Sequence, residues 1–113
     1  MPRDNRVDSR ERDVVLRRDS QCFVFRIDHS HVCRGAFGQQ HSPFDIERLT
    51  LDHFHLRPGG VKGKKAKSDR WHMVAMCHTA NIGAPSREIR EKEREYMMGL
   101  PGWSRCECCF DDS

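Results

Sequence analysis

A chain of 113 residues is one domain, and with 36% hydrophobic and 33% charged residues it has a thin core. Domains of this size and composition often add a metal or a disulfide, and six cysteines and seven histidines supply the means. No apolar run follows the start and none nears the ~18 residues of a spanning helix, so the expectation is a soluble, cytoplasmic protein with no membrane partner.

In that compartment cysteines serve as thiols or metal ligands rather than disulfides. Were the chain secreted, the six could form three bridges. The net charge of +3 is only weakly basic. Its distribution says more, because Arg57, Lys62, Lys64, Lys65, Lys67 and Arg70 crowd one short segment with no acid before Asp69.

Residues 1–12 are mostly charged, and a frayed arm is expected there. Asp13 to Arg18 predicts a short helix with Asp8 or Ser9 near its N-cap. Gln21 to Ile27 is aromatic and β-branched and reads as a strand. Asp28-His29-Ser30-His31 is turn-like, and Val32-Cys33 begins a return strand. Such a hairpin would set Cys22 beside Cys33.

Residues 34–44 read as loop. Leu49 to Leu56 alternates and predicts a further strand. Arg57 to Ser68 is a loop turned by Pro58-Gly59-Gly60. It is no nucleotide-binding loop, since Pro58 stands where the first glycine is needed and Lys65 where a Ser or Thr is needed.

Trp71, Val74, Ala75 and His78 share one helical face, so 71–82 reads as helical. Gly83-Ala84-Pro85 ends that element, and Ser86 caps a helix to about Met98. Ile89, Tyr96, Met97 and Leu100 form its apolar stripe. Glu88–Lys92 and Arg87–Glu91 are expected ion pairs at i, i+4.

The chemistry gathers at Asp52-His53, at a strand end before the lysine loop. Phosphodiester hydrolysis needs a base for water, a cation for developing charge and positive charge to hold the backbone. A histidine of ordinary pKa can be the base, and a carboxylate suits magnesium. Strand neighbours point to opposite faces, so a strand end or bulge is needed for both to address one site. From the pair alone, a strand-end salt link and a surface histidine is the simpler reading. His55 shares the His53 face and could touch phosphate or cation, or be solvated. His78 is expected to pack or to face solvent.

The run Leu49-Thr50-Leu51-Asp52-His53, the Gly-Gly and lysine loop, then Ser68-Asp69-Arg70-Trp71-His72 through Cys77 to Asn81 resembles the HNH (ββα-metal, His-Me finger) endonucleases. It is most similar to the small stand-alone forms of bacteriophages and actinobacteria. His72 and Asn81 keep the nine-residue spacing of the second and third signature positions. The likeness runs over residues 12–98 and is strongest over 49–82.

The resemblance implies an α+β fold. It would be a ββα-metal core at about 49–98, with the N-terminal hairpin and a C-terminal covering helix, in a single domain 1–113 whose ends (1–12 and 104–113) are flexible or zinc-associated. It implies a DNA endonuclease using Mg2+ or Mn2+ and leaving a 3′-hydroxyl and a 5′-phosphate. His53 would be the general base, and Asp52 and Asn81 the ligands of the catalytic cation. His72 replaces the usual middle Asn and would brace the base-bearing loop or simply pack in the core. Arg57 and the four lysines would hold DNA. A phage protein of this kind serves packaging, recombination or homing, and its partners would come from those processes.

Many members also carry a structural zinc on two Cys-x-x-Cys pairs. Here Ala80 replaces the partner of Cys77, and the first pair is absent. The expectation is one zinc on Cys22, Cys33 and two of Cys77, Cys106, Cys108 and Cys109. The alternative is that Cys22 and Cys77 are buried apolar thiols and the tail is disordered. A zinc-stabilised nucleic-acid-binding module without catalysis is the alternative function.

Overall fold

The computed structural model describes residues 8–110. Residues 1–7 and 111–113, the outer parts of the two predicted tails, lie outside them. The first helix, α1 (Ser9–Asp19), starts four residues earlier than its apolar content suggests. Asp8 caps it by accepting from the Arg10 N–H at 2.7 Å. Val15 and Leu16 are buried and anchor it to the core.

The strand expected over 21–27 is instead a one-turn helix, α2 (Phe23–Ile27), so no N-terminal hairpin forms. The reason lies in β2 (Met73–Met76), which pairs antiparallel with β1 (Thr50–His53); Asp52 faces Val74 and His53 faces Met73. The outer edge of β2 is the place where residues 21–27 could have added a third strand. Side chains from residues 18–22 already occupy it. Arg18 donates to the Met73 carbonyl at 2.7 Å, Asp19 accepts from the Ala75 N–H at 2.8 Å, and the Cys22 sulfur accepts from the Cys77 N–H at 3.3 Å. These bonds satisfy a strand edge without a strand.

Residues 71–82 split. Met73 to Met76 are strand, and only His78–Ile82 (α3) is helical. All four strand residues are buried, on both faces. A strand covered on both sides shows no alternation and is not distinguishable from a helix by periodicity.

The last helix, α4 (Arg87–Met98), is capped as expected, with the Ser86 hydroxyl accepting from the Ile89 N–H at 3.2 Å. Its stripe of Ile89, Tyr96, Met97 and Leu100 packs on the core. Two expected pairs, Glu88–Lys92 and Arg87–Glu91, are not among the ion pairs of the described residues. Arg90 instead bridges to Asp52 and Glu93.

The architecture is therefore α+β: a two-stranded sheet wrapped by short helices. Its core joins Leu16, Phe23, Leu49, Phe54, Val74 and Met97. Five of the sixteen buried apolar residues are cysteines, so the core is assembled around thiols. Among the described residues no helix is long and apolar enough to cross a membrane.

Candidate functional site

None of the six cysteines is in a disulfide. They fall into two groups of four ligand atoms, each group lying within 4.8 Å: Cys22, His31, Cys33 and Cys77, and His72, Cys106, Cys108 and Cys109. Both groups could hold a metal such as zinc. This corrects the expectation of one all-cysteine centre. Each group takes one histidine, and Cys106 and Cys109 belong to a separate centre from Cys22, Cys33 and Cys77.

The first group ties the N-terminal segment to the sheet. Cys22 precedes α2, His31 and Cys33 follow the turn at Asp28, and Cys77 sits between β2 and α3. His31 Nε2 lies 3.3 Å from Cys77 Sγ. Neither histidine, His31 nor His72, was expected among these groups. For His31 the signal was the His-x-Cys spacing to Cys33, which a turn reading obscures.

Electrostatics in this group are those of sulfurs forced together. The hydrogen bond from Cys22 holds Cys77 down to about 4, helped against its burial by His31 and the backbone at Ala80 and Arg34. That same bond, then burial, pushes Cys22 up. Burial first, then the charge on Cys77, raises Cys33 to about 11. One thiolate thus suppresses ionisation of its neighbours. A dication among them reverses this and stabilises all three as thiolates.

The second group joins the tail to the sheet. His72 Nε2 lies 3.2 Å from both Cys106 Sγ and Cys108 Sγ, and Cys108 Sγ is 3.7 Å from Cys106 Sγ and 3.6 Å from Cys109 Sγ. Disulfide sulfurs stand at about 2.05 Å, whereas a tetrahedron with zinc–sulfur bonds of ~2.3 Å has edges of about 3.8 Å. His72 Nδ1 lies 2.6 Å from Asp69 Oδ1. The opposite ring nitrogen is thereby fixed toward the sulfurs, as in the carboxylate–histidine–metal relay. Burial raises Cys106, and raises Cys109 to about 12.

Asp52 and His53 take opposite faces of β1. Asp52 is buried and its Oδ2 accepts from Arg90 Nη1 at 2.6 Å, while Glu93 Oε1 accepts from the same nitrogen at 2.9 Å. Glu93 is fully buried and its Oε2 has no hydrogen-bond partner. Burial first, then the Asp52 carboxylate beside it, raises Glu93 to about 9, against the pull of Arg90.

His53 is half-buried, with Nε2 3.2 Å from Ser68 Oγ. Desolvation lowers its pKa, Asp52 partly opposes this and His72 adds to it. Its imidazole is therefore neutral at pH 7 and able to take a proton.

Asn81, on α3, donates through Nδ2 to Thr50 Oγ1 at 2.9 Å and to the Leu51 carbonyl at 3.0 Å. These bonds fasten it to β1 next to Asp52 and leave its Oδ1 without a hydrogen-bond partner among the described residues. His55 lies beside the tail group, half-buried, with Nδ1 3.3 Å from Cys109 Sγ. His78 begins α3, half-buried. Arg57, Lys62, Lys64, Lys65 and Lys67 are exposed, and none forms an ion pair among the described residues.

No family model, curated protein or solved structure matches this chain.

Proposed function

We propose that the protein is a divalent-metal-dependent DNA endonuclease of the HNH type. The observation that carries this reading is His53: a neutral, half-buried imidazole at a strand end, next in sequence to Asp52 on the other face of β1 and ahead of an exposed lysine loop. His53 would accept a proton from water. The water oxygen attacks phosphorus and the P–O3′ bond breaks, leaving a 3′-hydroxyl and a 5′-phosphate.

Asp52 and Asn81 would be the oxygen donors for Mg2+ or Mn2+, and such a cation would supply positive charge to the phosphate. The unpartnered Asn81 Oδ1 fits that role. At Asp52 the cation must compete with Arg90. Each Cys/His group holds a structural zinc.

The Arg90–Asp52 ion pair favours one other reading, a zinc-stabilised nucleic-acid-binding module in which Arg90 fills the cation's place. One experiment separates the two. Supercoiled plasmid is incubated with wild type and His53→Ala, with Mg2+ or Mn2+ and with chelator. The nuclease reading expects metal-dependent nicking, lowered at least ~100-fold in His53→Ala while DNA binding survives. Binding without nicking by the wild type establishes the other.

A further inference from the structure

The two metal groups sit differently in the fold. The first joins the start of α2, the turn after it and the end of β2, with its three cysteines buried in the core and His31 at the edge. The second fastens the tail to the segments on either side of the lysine loop, through His72 just ahead of β2 and the buried Cys108 and Cys109. Its hydrogen bonds define what it holds. The Leu56 N–H donates to Cys109 Sγ at 3.1 Å, the Val61 N–H donates to the Cys108 carbonyl at 3.1 Å, and His55 Nδ1 lies against Cys109. Gly60 packs so closely on the His55 ring that a Cβ there would meet it at 2.3 Å.

On the far side of the loop, His72 is bound to Asp69, which follows Ser68, the residue whose hydroxyl meets His53. The Phe54 N–H donates to the His72 carbonyl at 3.0 Å. Beside the direct contact of Ser68 with His53, both ends of the loop are therefore held by the four ligands or residues that touch them.

We propose that zinc bound by His72, Cys106, Cys108 and Cys109 is a positioning centre, which clamps both ends of the 57–68 loop and so fixes Ser68 against His53. Three thiolates and one imidazole at these separations suit zinc and not a hard cation. Without the ion, the clustered sulfurs hold no common charge, and the tail and the loop are left to the few hydrogen bonds at Leu56, Val61 and Ser68. The step from the clamp to catalysis rests on the nuclease reading above; the clamp itself does not.

The test uses the full chain as wild type, Cys106→Ser and Cys106→His. Cys106 is the most exposed of the four ligands, and a histidine there can restore ligation. Zinc is counted by elemental mass spectrometry, amide exchange is followed by segment, and the His53 ring Cε1–H resonance is recorded. The wild type should hold two zinc ions and Cys106→Ser one. In Cys106→Ser, amides of 55–72 should exchange at least tenfold faster, those of β2 and α1 should not, and the His53 resonance should shift; Cys106→His should recover all three.

One zinc in the wild type would overturn the proposal, as would two in Cys106→Ser. So would loop exchange unchanged after zinc loss, or acceleration spread evenly through the core. Should the wild type prove unable to nick DNA while the loop still answers to the tail zinc, the clamp stands and the nuclease reading falls.

Discussion

Glu93 sets a residue-scale puzzle, because a carboxyl with no exposure shares one guanidinium with another carboxylate. Two buried acids beside one cation cannot both ionise cheaply, and Glu93 is the one that keeps its proton, up to about pH 9. In the unfolded chain it would lose that proton near the ordinary value of 4.5. Between those values the folded state binds one proton more than the unfolded state, so stability falls as pH rises through the window. The limiting slope for one proton is about 1.4 kcal/mol per pH unit. Glu93→Gln imitates the protonated acid and should remove this slope. Urea unfolding of both proteins from pH 5 to 9 measures it, and parallel curves would show that Glu93 is ionised in the fold. None of this was legible in the sequence, where position 93 reads as one more solvated charge on a helix rich in them. Only its placement opposite Asp52 makes it exceptional.

Among the elements, the exchange of an expected strand for a helix at 23–27 and the capture of the β2 edge by α1 are one event. Asp19 is the centre of it. Its carboxylate accepts from the Ala75 N–H, from Tyr96 Oη at 2.7 Å and from Arg18. Asp19→Ala strips three donors of their partner inside the core. Leaving buried donors and a charge unpaired costs about 3–5 kcal/mol, a large share of the stability of a chain this size. Chemical denaturation should show that loss, whereas a cost below ~1 kcal/mol would mean that the β2 edge is held by other contacts. The same geometry explains which elements the sequence revealed. β1 and α4 were legible because each has one face less buried than the other and so carries a period. Residues 21–27 and 73–76 were not, since the first is governed by an edge already filled and the second is buried on both faces. The turn before His31 was legible as a turn, but the place of His31 among the cysteines was not, because it depends on Cys77, which lies 46 residues away.

For the whole molecule, a thin core and two Cys/His groups argue that metal is part of the folding free energy. The core group should carry most of it, since its ligands join α2 to β2. Cys33→Ser, or exhaustive chelation of the wild type, should abolish cooperative melting followed by far-UV circular dichroism. An unchanged transition would assign these thiols to ordinary packing. With the ends of the 57–68 loop tied to the tail, Lys62, Lys64, Lys65 and Lys67 stay exposed on one segment next to His53, without ion-pair partners among the described residues. Ammonium groups so placed act as point charges on a phosphate backbone and read no sequence. Each contact made with duplex DNA releases condensed counterions and steepens log K against log salt by about 0.9. Replacing all four by glutamine should therefore flatten the slope by up to about 3.6 and weaken binding to unrelated sequences equally. Fluorescence anisotropy across a salt series provides the measurement. If the slope survives the replacement intact, DNA lies elsewhere on the molecule, and His53 has no means in this loop of holding a phosphate within reach.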